Sequence, residues 1–269
     1  MLVWQCVFFI GAAIVLLLMS FWAVRDFRIE RVYEFGNWTD ILGSTFFWKV
    51  YLQTMLYAGI AAFLEVILAF PAVYCIAFKI SPQKRRTLLM VLVVPFFTSY
   101  VVRTYAWSFI LAHGGLIDSA LQFVGLPSVP LQGSLLAMEI GYLTYAFPLV
   151  ALLVLLSLMN VDRTLIEASN NLGAGRLKSI LHVVLPSARI GLVFGAAFGF
   201  ILAMGDYIAP STLGGSTRLT LSLLVIGATQ AGGDFPQAAA IAVVMLVTLT
   251  VVLLLAFRLA FPVRRKAKK

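Results

Sequence analysis

Four ionisable side chains interrupt the long apolar stretches of this 269-residue chain: Glu65, Arg103, Glu139 and Asp206. A charge within an apolar helix is costly, so such residues normally face a cavity or each other. Carboxylates in this setting suit the binding of a cation, although Glu65 alone is more consistent with a structural role. The four residues include no nucleophile, and no Ser/Lys or His/Asp/Glu cluster joins them, which disfavours a membrane-embedded enzyme.

Aromatic residues recur beside these charges at helical spacing. One set shares a single face of a predicted helix that includes Arg103, and another residue lies one turn from Glu139. Acids and aromatic rings together suit a cation by charge and by cation–π contact. The candidates for a solute path are Tyr100, Arg103, Trp107, Glu139, Tyr142, Asp206 and Tyr207. The alternative is an internal ion pair of Arg103 with Glu139 or Asp206, which would hold three helices together.

Metal and disulfide chemistry find little support in the sequence. Cys6 and Cys75 both lie inside apolar segments, and their number and spacing give no disulfide framework or zinc motif. His113 and His182 are far apart in the chain and stand alone. We therefore expect no metal site and no catalytic residues.

The elements that must position the charged residues are membrane-spanning helices. Hydrophobic residues make up 62% of the chain, and apolar runs of about 20 residues, long enough to cross a bilayer, recur along it. We predict an all-α integral membrane protein with a single transmembrane domain over residues 1–269. Its six spans lie at about 2–24, 50–78, 88–112, 134–159, 190–209 and 237–261. The first of these has the alternative of a cleavable signal peptide.

Basic residues set the expected orientation. The turn at 79–86, the loop at 161–189 and the tail after residue 261 are rich in Lys and Arg, whereas the loops after the third and fifth spans carry almost none. The positive-inside rule then places both termini in the cytoplasm. The tail cluster Arg264, Arg265, Lys266, Lys268 and Lys269 is expected to anchor the chain at the membrane surface, and not to bind nucleic acid.

Glycine and proline mark special positions in the spans. Gly191, Gly195 and Gly199 form a doubled GxxxG pattern, which favours close contact between helices. The spacing leaves open whether that contact is within the chain or with another subunit. Pro95 interrupts the third predicted span and indicates a kink.

The loop at 161–189 has an unusual amount of predicted structure. Asp162 or Thr164 can cap a first helix, and Thr164 with Glu167 makes a capping box. Gly173 follows as a helix break. A second amphipathic helix then runs to a predicted stop at Pro186. Taken alone, this pattern indicates an interfacial helical hairpin.

The same loop resembles the EAA motif of prokaryotic ABC-importer permeases. That pattern is Glu-Ala-Ala, three residues, Gly, nine residues, then Ile, any residue and Leu-Pro. The matching positions are Glu167, Ala168, Ser169, Gly173, Val183, Leu185 and Pro186. The departures are conservative, since Ser169 replaces Ala and Val183 replaces Ile. The resemblance implies the type I importer permease fold, and it implies that Glu167, Ala168, Ser169, Gly173, Leu185 and Pro186 couple the chain to an ATPase.

The resemblance also implies a set of partners. They are a second homologous permease, two ATP-binding subunits, an extracytoplasmic solute-binding protein and the bilayer of a bacterial inner membrane. Whether the second permease is a different gene product stays open. The chain has no GxxxxGK[ST] loop. We therefore expect this chain to bind no cofactor, with ATP and Mg²⁺ held by the ATP-binding subunits.

Further stretches are similar to the first permease subunit of spermidine/putrescine transport systems. They are the segments 94–98, 103–105, 113–117, 202–210 and 213–215. The resemblance implies a polyamine solute. Importers of other amines, phosphonates or sugar–amino acid conjugates share these segments and remain alternatives. An ATP-independent secondary transporter is a further alternative, but the sequence shows no repeat between its halves.

Overall fold

The computed structural model describes residues 4, 6–26, 28–129, 131–215, 218–230 and 233–261. A short π-helical turn, Cys6–Ile10, leads into the first α-helix. The helices are α1 (Gly11–Met19), α2 (Gly36–Gly43), α3 (Thr45–Phe78), α4 (Pro82–Val93), α5 (Tyr100–Leu111), α6 (Leu116–Phe123), α7 (Leu135–Met159), α8 (Arg163–Asn171), α9 (Arg176–Ser179), α10 (Leu185–Ser187), α11 (Arg189–Gly205), α12 (Ile208–Thr212), α13 (Leu221–Gln230) and α14 (Phe235–Ala260).

Three helices, α3, α7 and α14, are long and apolar enough to cross a membrane. Each begins at a polar cap: the side chains of Ser44, Ser134 and Asp234 accept hydrogen bonds from backbone N–H groups in the first turn. Such caps satisfy donors that would otherwise lack partners at a helix start. Two bent pairs of helices also pass the length and hydropathy test if each pair is counted as one span.

The first bent pair replaces the simple kink expected at Pro95. A 3₁₀ turn, Val94–Phe97, ends α4, and the chain then turns by 89° before α5. Proline lacks the N–H that a continuing α-helix would use, which favours this break. The second pair joins the segment 176–187 to α11 at 72°.

Two features near the predicted spans differ from expectation. Helix α1 ends at Met19, and a two-stranded antiparallel hairpin, β1 (Ala23–Arg25) with β2 (Arg28–Glu30), follows it, so the expected helix to residue 24 is too long. Helix α11 ends at Gly205 instead of residue 209, because Asp206 is extended and starts a new helix. Residues 2, 3 and 5 of the first predicted span and the basic tail at 262–269 lie outside the described residues.

Helices α3, α7 and α11 form the centre of the bundle. The GxxxG glycines of α11 lie against helices of this same chain: Gly191 against Ser157, Gly195 against Val150 and Val154. A Cβ atom at Gly191 would overlap the side chain of Ser157. The small-residue pattern therefore serves contact within the described chain, which is one of the two possibilities that the spacing left open.

Two large buried apolar clusters fill the described part of the bundle, and a smaller third one contains Leu111, Ala137 and Leu213. One lies around Tyr57, Met138 and Tyr142 and includes residues of α13 and α14. The other includes Val73 and Val154, together with Val161 and Val184 of the loop at 161–189. That loop is therefore packed directly on the bundle.

Candidate functional site

Asp206 joins several short helices near the end of α11. Its Oδ1 accepts a hydrogen bond from the N–H of Ile208 at 2.9 Å, and its Oδ2 accepts one from the N–H of Ala209 at 3.1 Å. The hydroxyl of Tyr100 also donates to Oδ2, at 2.5 Å. Ser222 donates to the Asp206 carbonyl oxygen at 2.6 Å. The carboxylate thus caps α12 and ties α5 and α13 to the end of α11.

Glu139 and Tyr142 are buried in the same part of the bundle. Tyr142 lies close enough to both Asp206 and Glu139 to interact with them electrostatically. Among the described residues, neither carboxyl oxygen of Glu139 has a hydrogen-bond partner. The carboxyl oxygens of Glu65 also have no hydrogen-bond partner among the described residues, and this side chain is completely buried against Gly199 of α11. The structure thus brings together Tyr100, Glu139, Tyr142 and Asp206, and adds Glu65.

Arg103 does not form the ion pair considered from the sequence. Its Nη1 donates to the carbonyl oxygen of Thr144 at 2.7 Å. No salt bridge joins it to Glu139 or Asp206 in the part of the chain that the structure describes. Asp206 already accepts three hydrogen bonds, and the Thr144 carbonyl satisfies one donor of the guanidinium. Its Nε is buried and has no hydrogen-bond partner among the described residues.

Arg103 and Trp107 line an open groove of about 490 Å³ between α3, α5 and α7, together with Leu68, Ile140 and Thr144. Tyr207 lies elsewhere, 47% exposed, beside a different groove that includes Leu16 and Ser222. The seven predicted path residues therefore divide into a buried cluster, a groove pair and the separate Tyr207.

Sequence reasoning missed two residues near the buried cluster. Arg218 donates to the hydroxyl of Tyr57 at 3.5 Å, and Tyr57 lies near Tyr142. Arg218 is in a Gly/Thr-rich loop, where a single basic residue gives no signal of contact with a helix. Tyr57 sits in a long apolar helix, where a tyrosine is unremarkable. For Glu65 the signal was present, since a lone carboxyl in an apolar helix is unusual.

The loop at 161–189 begins with a cap at Asp162. Its Oδ1 accepts a hydrogen bond from the N–H of Thr164 at 2.9 Å, and α8 starts at Arg163. The capping box predicted for Thr164 and Glu167 is therefore wrong, because the helix begins before Thr164. The N–H and the side chain of Thr164 hold the pKa of Asp162 below its usual value by hydrogen bonding to the carboxylate.

Gly173 ends α8 as predicted. Its φ is +82°, a left-handed conformation that glycine adopts without steric cost. The N–H of Gly173 donates to the Asn170 carbonyl at 2.9 Å, and that of Ala174 donates to the Ser169 carbonyl at 3.1 Å. The space around a Cβ at Gly173 is open, so the conformation and not crowding calls for glycine.

The second helix of the loop continues slightly past the predicted stop at Pro186. Helix α9, a π-helical segment (Ile180–Val184) and α10 form one run that ends at Ser187. Pro186 lies in the first turn of α10. Proline is tolerated at such a position because the wider π turn precedes it and the missing N–H is not needed there.

Serine and asparagine side chains hold the two helices of the loop together. Ser169 and Ser179 hydroxyls lie 3.0 Å apart, and Ser179 donates to Asn170 Oδ1 at 3.1 Å. Arg163 donates to the Ala77 carbonyl at the end of α3, at 3.3 Å. Glu167, Ala168, Gly173 and Pro186 are exposed, whereas Ser169 and Leu185 are half-buried.

Apolar side chains also cover the outer surface of the loop. Leu172 is 89% exposed and Leu177 is 69% exposed, and Leu165 and Leu181 are about half exposed. On the other side, Ile166 and Val184 pack on the bundle. A loop that is packed on a bundle and has an apolar outer surface is typical of a docking site for another protein.

The helical bundle and this loop together define a membrane component of a transport complex. A family model described as the binding-protein-dependent transport system inner membrane component matches residues 46–269. The chain belongs to this family. It is a multi-pass inner membrane protein with the type I ABC-importer permease fold, and its role is transport and not enzymatic catalysis.

Two curated relatives illustrate the similarity. The chain is 29% identical over 275 residues to the inner membrane ABC transporter permease protein YdcU of Escherichia coli K12, covering 97% of this chain and 85% of the relative. It is 24% identical over 242 residues to the spermidine/putrescine transport system permease protein PotB of the same organism, covering 89% and 87%.

Solved structures agree on the fold. A chain of a bacterial alginate ABC transporter, in complex with an alginate pentasaccharide-bound periplasmic protein, superposes with a TM-score of 0.76 at 16% identity, covering 95% of this chain and 89% of that one. The MetNI methionine ABC transporter, in inward-facing conformations, gives a TM-score of 0.57 at 18% identity, covering 79% and 93%.

Proposed function

We propose that this chain forms one half of the translocation path of an ATP-driven polyamine importer. It pairs with a second homologous permease, two ATP-binding subunits that carry ATP and Mg²⁺, and an extracytoplasmic solute-binding protein. Transport proceeds by alternating access. The observation that carries the assembly is the apolar outer surface of the loop at 161–189, which is packed on the bundle.

The membrane arrangement belongs to the same proposal. Six crossings are formed by the N-terminal helical segment, α3, the bent segment 82–123, α7, the bent segment 176–205, and α14. Both termini are cytoplasmic under the positive-inside rule. The loop at 161–189 is then on the cytoplasmic side, where the ATP-binding subunits are found. Closure of those subunits is transmitted through Glu167, Ala168, Ser169, Gly173, Leu185 and Pro186.

The polyamine assignment is supported by sequence similarity to PotB and by the buried carboxylates in the described bundle. The path residues divide by role: Tyr100, Glu139, Tyr142 and Asp206 inside the bundle, Arg103 and Trp107 in the groove, and Tyr207 apart. The second candidate is import of a solute with an anionic group, such as a phosphonate or a sugar–amino acid conjugate. The unpartnered Nε of Arg103, beside an open groove, favours it.

The test is ATPase activity of the reconstituted complex with its cognate binding protein, while spermidine and putrescine are titrated. Stimulation by micromolar polyamine supports the proposal. Robust activity that no polyamine changes, but that an anionic solute stimulates, moves the assignment to the second candidate. Failure of any ATP-binding subunit to copurify with this chain would contradict the assembly itself.

A further inference from the structure

We propose that Glu65 and Glu139 together form an occluded site inside this subunit that binds a protonated amine of the solute during transport. This inference rests on the proposed polyamine function and adds to it a specific internal site. Sequence reasoning favoured a structural role for Glu65 and named Glu139 among the candidates for a solute path.

The two carboxyl groups lack the partners that buried acids normally have. Glu65 is 0% exposed and Glu139 is 5% exposed. None of their four carboxyl oxygens has a hydrogen-bond partner among the described residues. Burial of such a group without compensation is costly. Asp206 in the same bundle shows the contrast, since it accepts hydrogen bonds from Tyr100 and two backbone N–H groups.

The neighbouring positive charges are directed elsewhere. Over the ranges that the structure describes, no Lys, Arg or His nitrogen lies within 4.0 Å of a carboxyl oxygen of Glu65 or Glu139. Arg103 donates to the Thr144 carbonyl, and Arg218 reaches the hydroxyl of Tyr57. The described part of the chain thus provides two buried acceptor groups and does not supply the cation that would satisfy them.

The two carboxyl groups belong to one electrostatic environment. Glu139 on α7 lies close enough to Glu65 on α3 to interact with it electrostatically. Tyr142 lies near Glu139 and Tyr57, so aromatic faces accompany the acids. A cation held in this region would relieve the repulsion between the two acids and supply the missing donors.

Gly199 provides the space that Glu65 occupies. A Cβ atom at this position would overlap Oε2 of Glu65, and it would lie 3.4 Å from the Cα of Ala62. Only small groups therefore separate α3 from α11 beside the carboxyl. A groove of about 320 Å³, lined by Ala62, Ala196 and Ala197 among others, follows the same seam. The seam between these helices is thin enough for a modest separation to open the site.

The groove beside Arg103 gives the solute a route to the site. Its wall includes Leu68, one turn from Glu65 on α3, and Ile140, which follows Glu139 on α7. A solute in the groove would reach the two carboxyl groups once the helices separate.

The chemistry of the site favours an amine over a metal ion. No group of three or more His, Cys, Asp or Glu side chains within the described residues could hold a metal. A primary ammonium donates up to three hydrogen bonds and needs no closed ligand shell. Two separated carboxyl groups can each accept from an ammonium group of a flexible polyamine.

The principal experiment measures uptake of radiolabelled spermidine and putrescine by the complete reconstituted complex. The variants are Glu65→Gln, Glu139→Gln and the double variant, which keep side-chain size but remove the charge. We expect the KM for uptake to rise about 10- to 100-fold, as for loss of a charge-assisted hydrogen bond. Copurification of the ATP-binding subunits should be retained, which shows that the variants fold and assemble. Glu30→Gln, which changes an exposed carboxylate of the hairpin, is the matched control and should match the wild type.

A chemical readout addresses the site directly. Dicyclohexylcarbodiimide modifies carboxyl groups in apolar surroundings, and mass spectrometry locates the modified residue. Labelling of Glu65 or Glu139 that putrescine suppresses in the wild-type complex supports the site. The inference fails, and the proposed function stands, if the wild type transports polyamine while the variants have an unchanged KM and putrescine does not reduce the labelling. If the wild type transports neither polyamine, the substrate assignment fails, and this inference fails with it.

Discussion

The loop at 161–189 and the centre of the bundle depart from the usual distribution of residues in opposite ways. The loop exposes large apolar side chains, of which Leu172 and Leu177 are the most accessible. The bundle buries carboxyl groups without partners, at Glu65 and Glu139. Exposed apolar patches and buried polar groups without hydrogen bonds are both costly when the chain is alone. Both regions are therefore where the proposals above place a binding partner.

The difference lies in what each region has already satisfied. In the loop, polar groups are paired with each other, as with Ser169 and Ser179, and only the apolar surface is left for a partner. In the bundle, the apolar side chains are packed, and among the described residues the carboxyl oxygens of Glu65 and Glu139 and the Nε atoms of Arg103 and Arg218 are buried without hydrogen-bond partners. Under the two proposals above, the missing component is an apolar protein surface for the loop and a small cation for the two acids.

The largest expected effect comes from placing a charge on the loop surface. Leu172→Asp should abolish copurification of the ATP-binding subunits, because losing a hot-spot side chain of an interface costs about 2 kcal/mol or more and burying an unpaired charge costs further. Leu116→Asp is the control, since Leu116 is 72% exposed but belongs to α6, at the other end of the predicted topology. Equal loss of the ATP-binding subunits from both variants would show that the loop surface is not their specific binding site.

The next largest effect is expected at Gly199, whose lack of a side chain leaves room for Glu65. Gly199→Ala should destabilise the protein in detergent by about 1–3 kcal/mol, as overpacking of a close-packed core does. Thermal unfolding of the purified permease measures it. Gly195→Ala should cost less, because its nearest contacts are side-chain methyl groups at 3.3 Å.

A double variant sharpens the same comparison. Glu65→Ala should relieve the clash of Gly199→Ala and should leave the effect of Gly195→Ala unchanged. A double-mutant cycle reports this coupling directly. Additive effects at residues 65 and 199 would contradict the contact between them.

A smaller effect is expected at Gly173. Gly173→Ala places a side chain in a left-handed conformation, which costs about 1–2 kcal/mol. The cost should appear as weaker binding of the ATP-binding subunits, by at most about 30-fold. Gly173→Asn is the control, because Asn tolerates this conformation better and should bind more tightly than the Ala variant. Equal losses for Ala and Asn would instead indicate that the partner contacts this position closely.

The smallest effect is expected at Asp162. Its folded-state pKa is lowered, so the ionised cap stabilises the loop above its unfolded pKa, and this contribution is lost as the pH falls through the lowered folded value. Asp162→Asn should keep the cap and remove this acid-dependent loss, whereas Asp162→Ala should lose the cap at all pH values. Limited proteolysis of the loop between neutral and acidic pH measures both. If the loop of Asp162→Asn still becomes more sensitive to proteolysis at acidic pH, the loss of stability is caused by the titration of another group.

Sequence patterns predicted the loop more completely than the bundle. The left-handed Gly173 and the helices on both sides of it depend on neighbours in the chain, so local signals were sufficient. The capping residue of α8 was predicted less completely. The sequence offered both Asp162 and Thr164, and only the backbone shows that α8 begins before Thr164. The extension of the second helix past Pro186 depends on a π segment that no residue pattern indicated.

By itself, the sequence determined the membrane class, the long helices and the helical structure of the loop at 161–189. The signals for these features, namely hydropathy, glycine and helix caps, depend on residues that are close together in the chain. The tertiary structure alone decided how the charged residues are arranged. It directed Arg103 to Thr144, assigned Asp206 to a helix cap, and placed Glu65 against Gly199. These contacts join residues far apart in the chain, and they depend on which faces of α3, α5, α7 and α11 meet. Helical spacing fixes the face of each helix, but only packing fixes the helix that lies opposite.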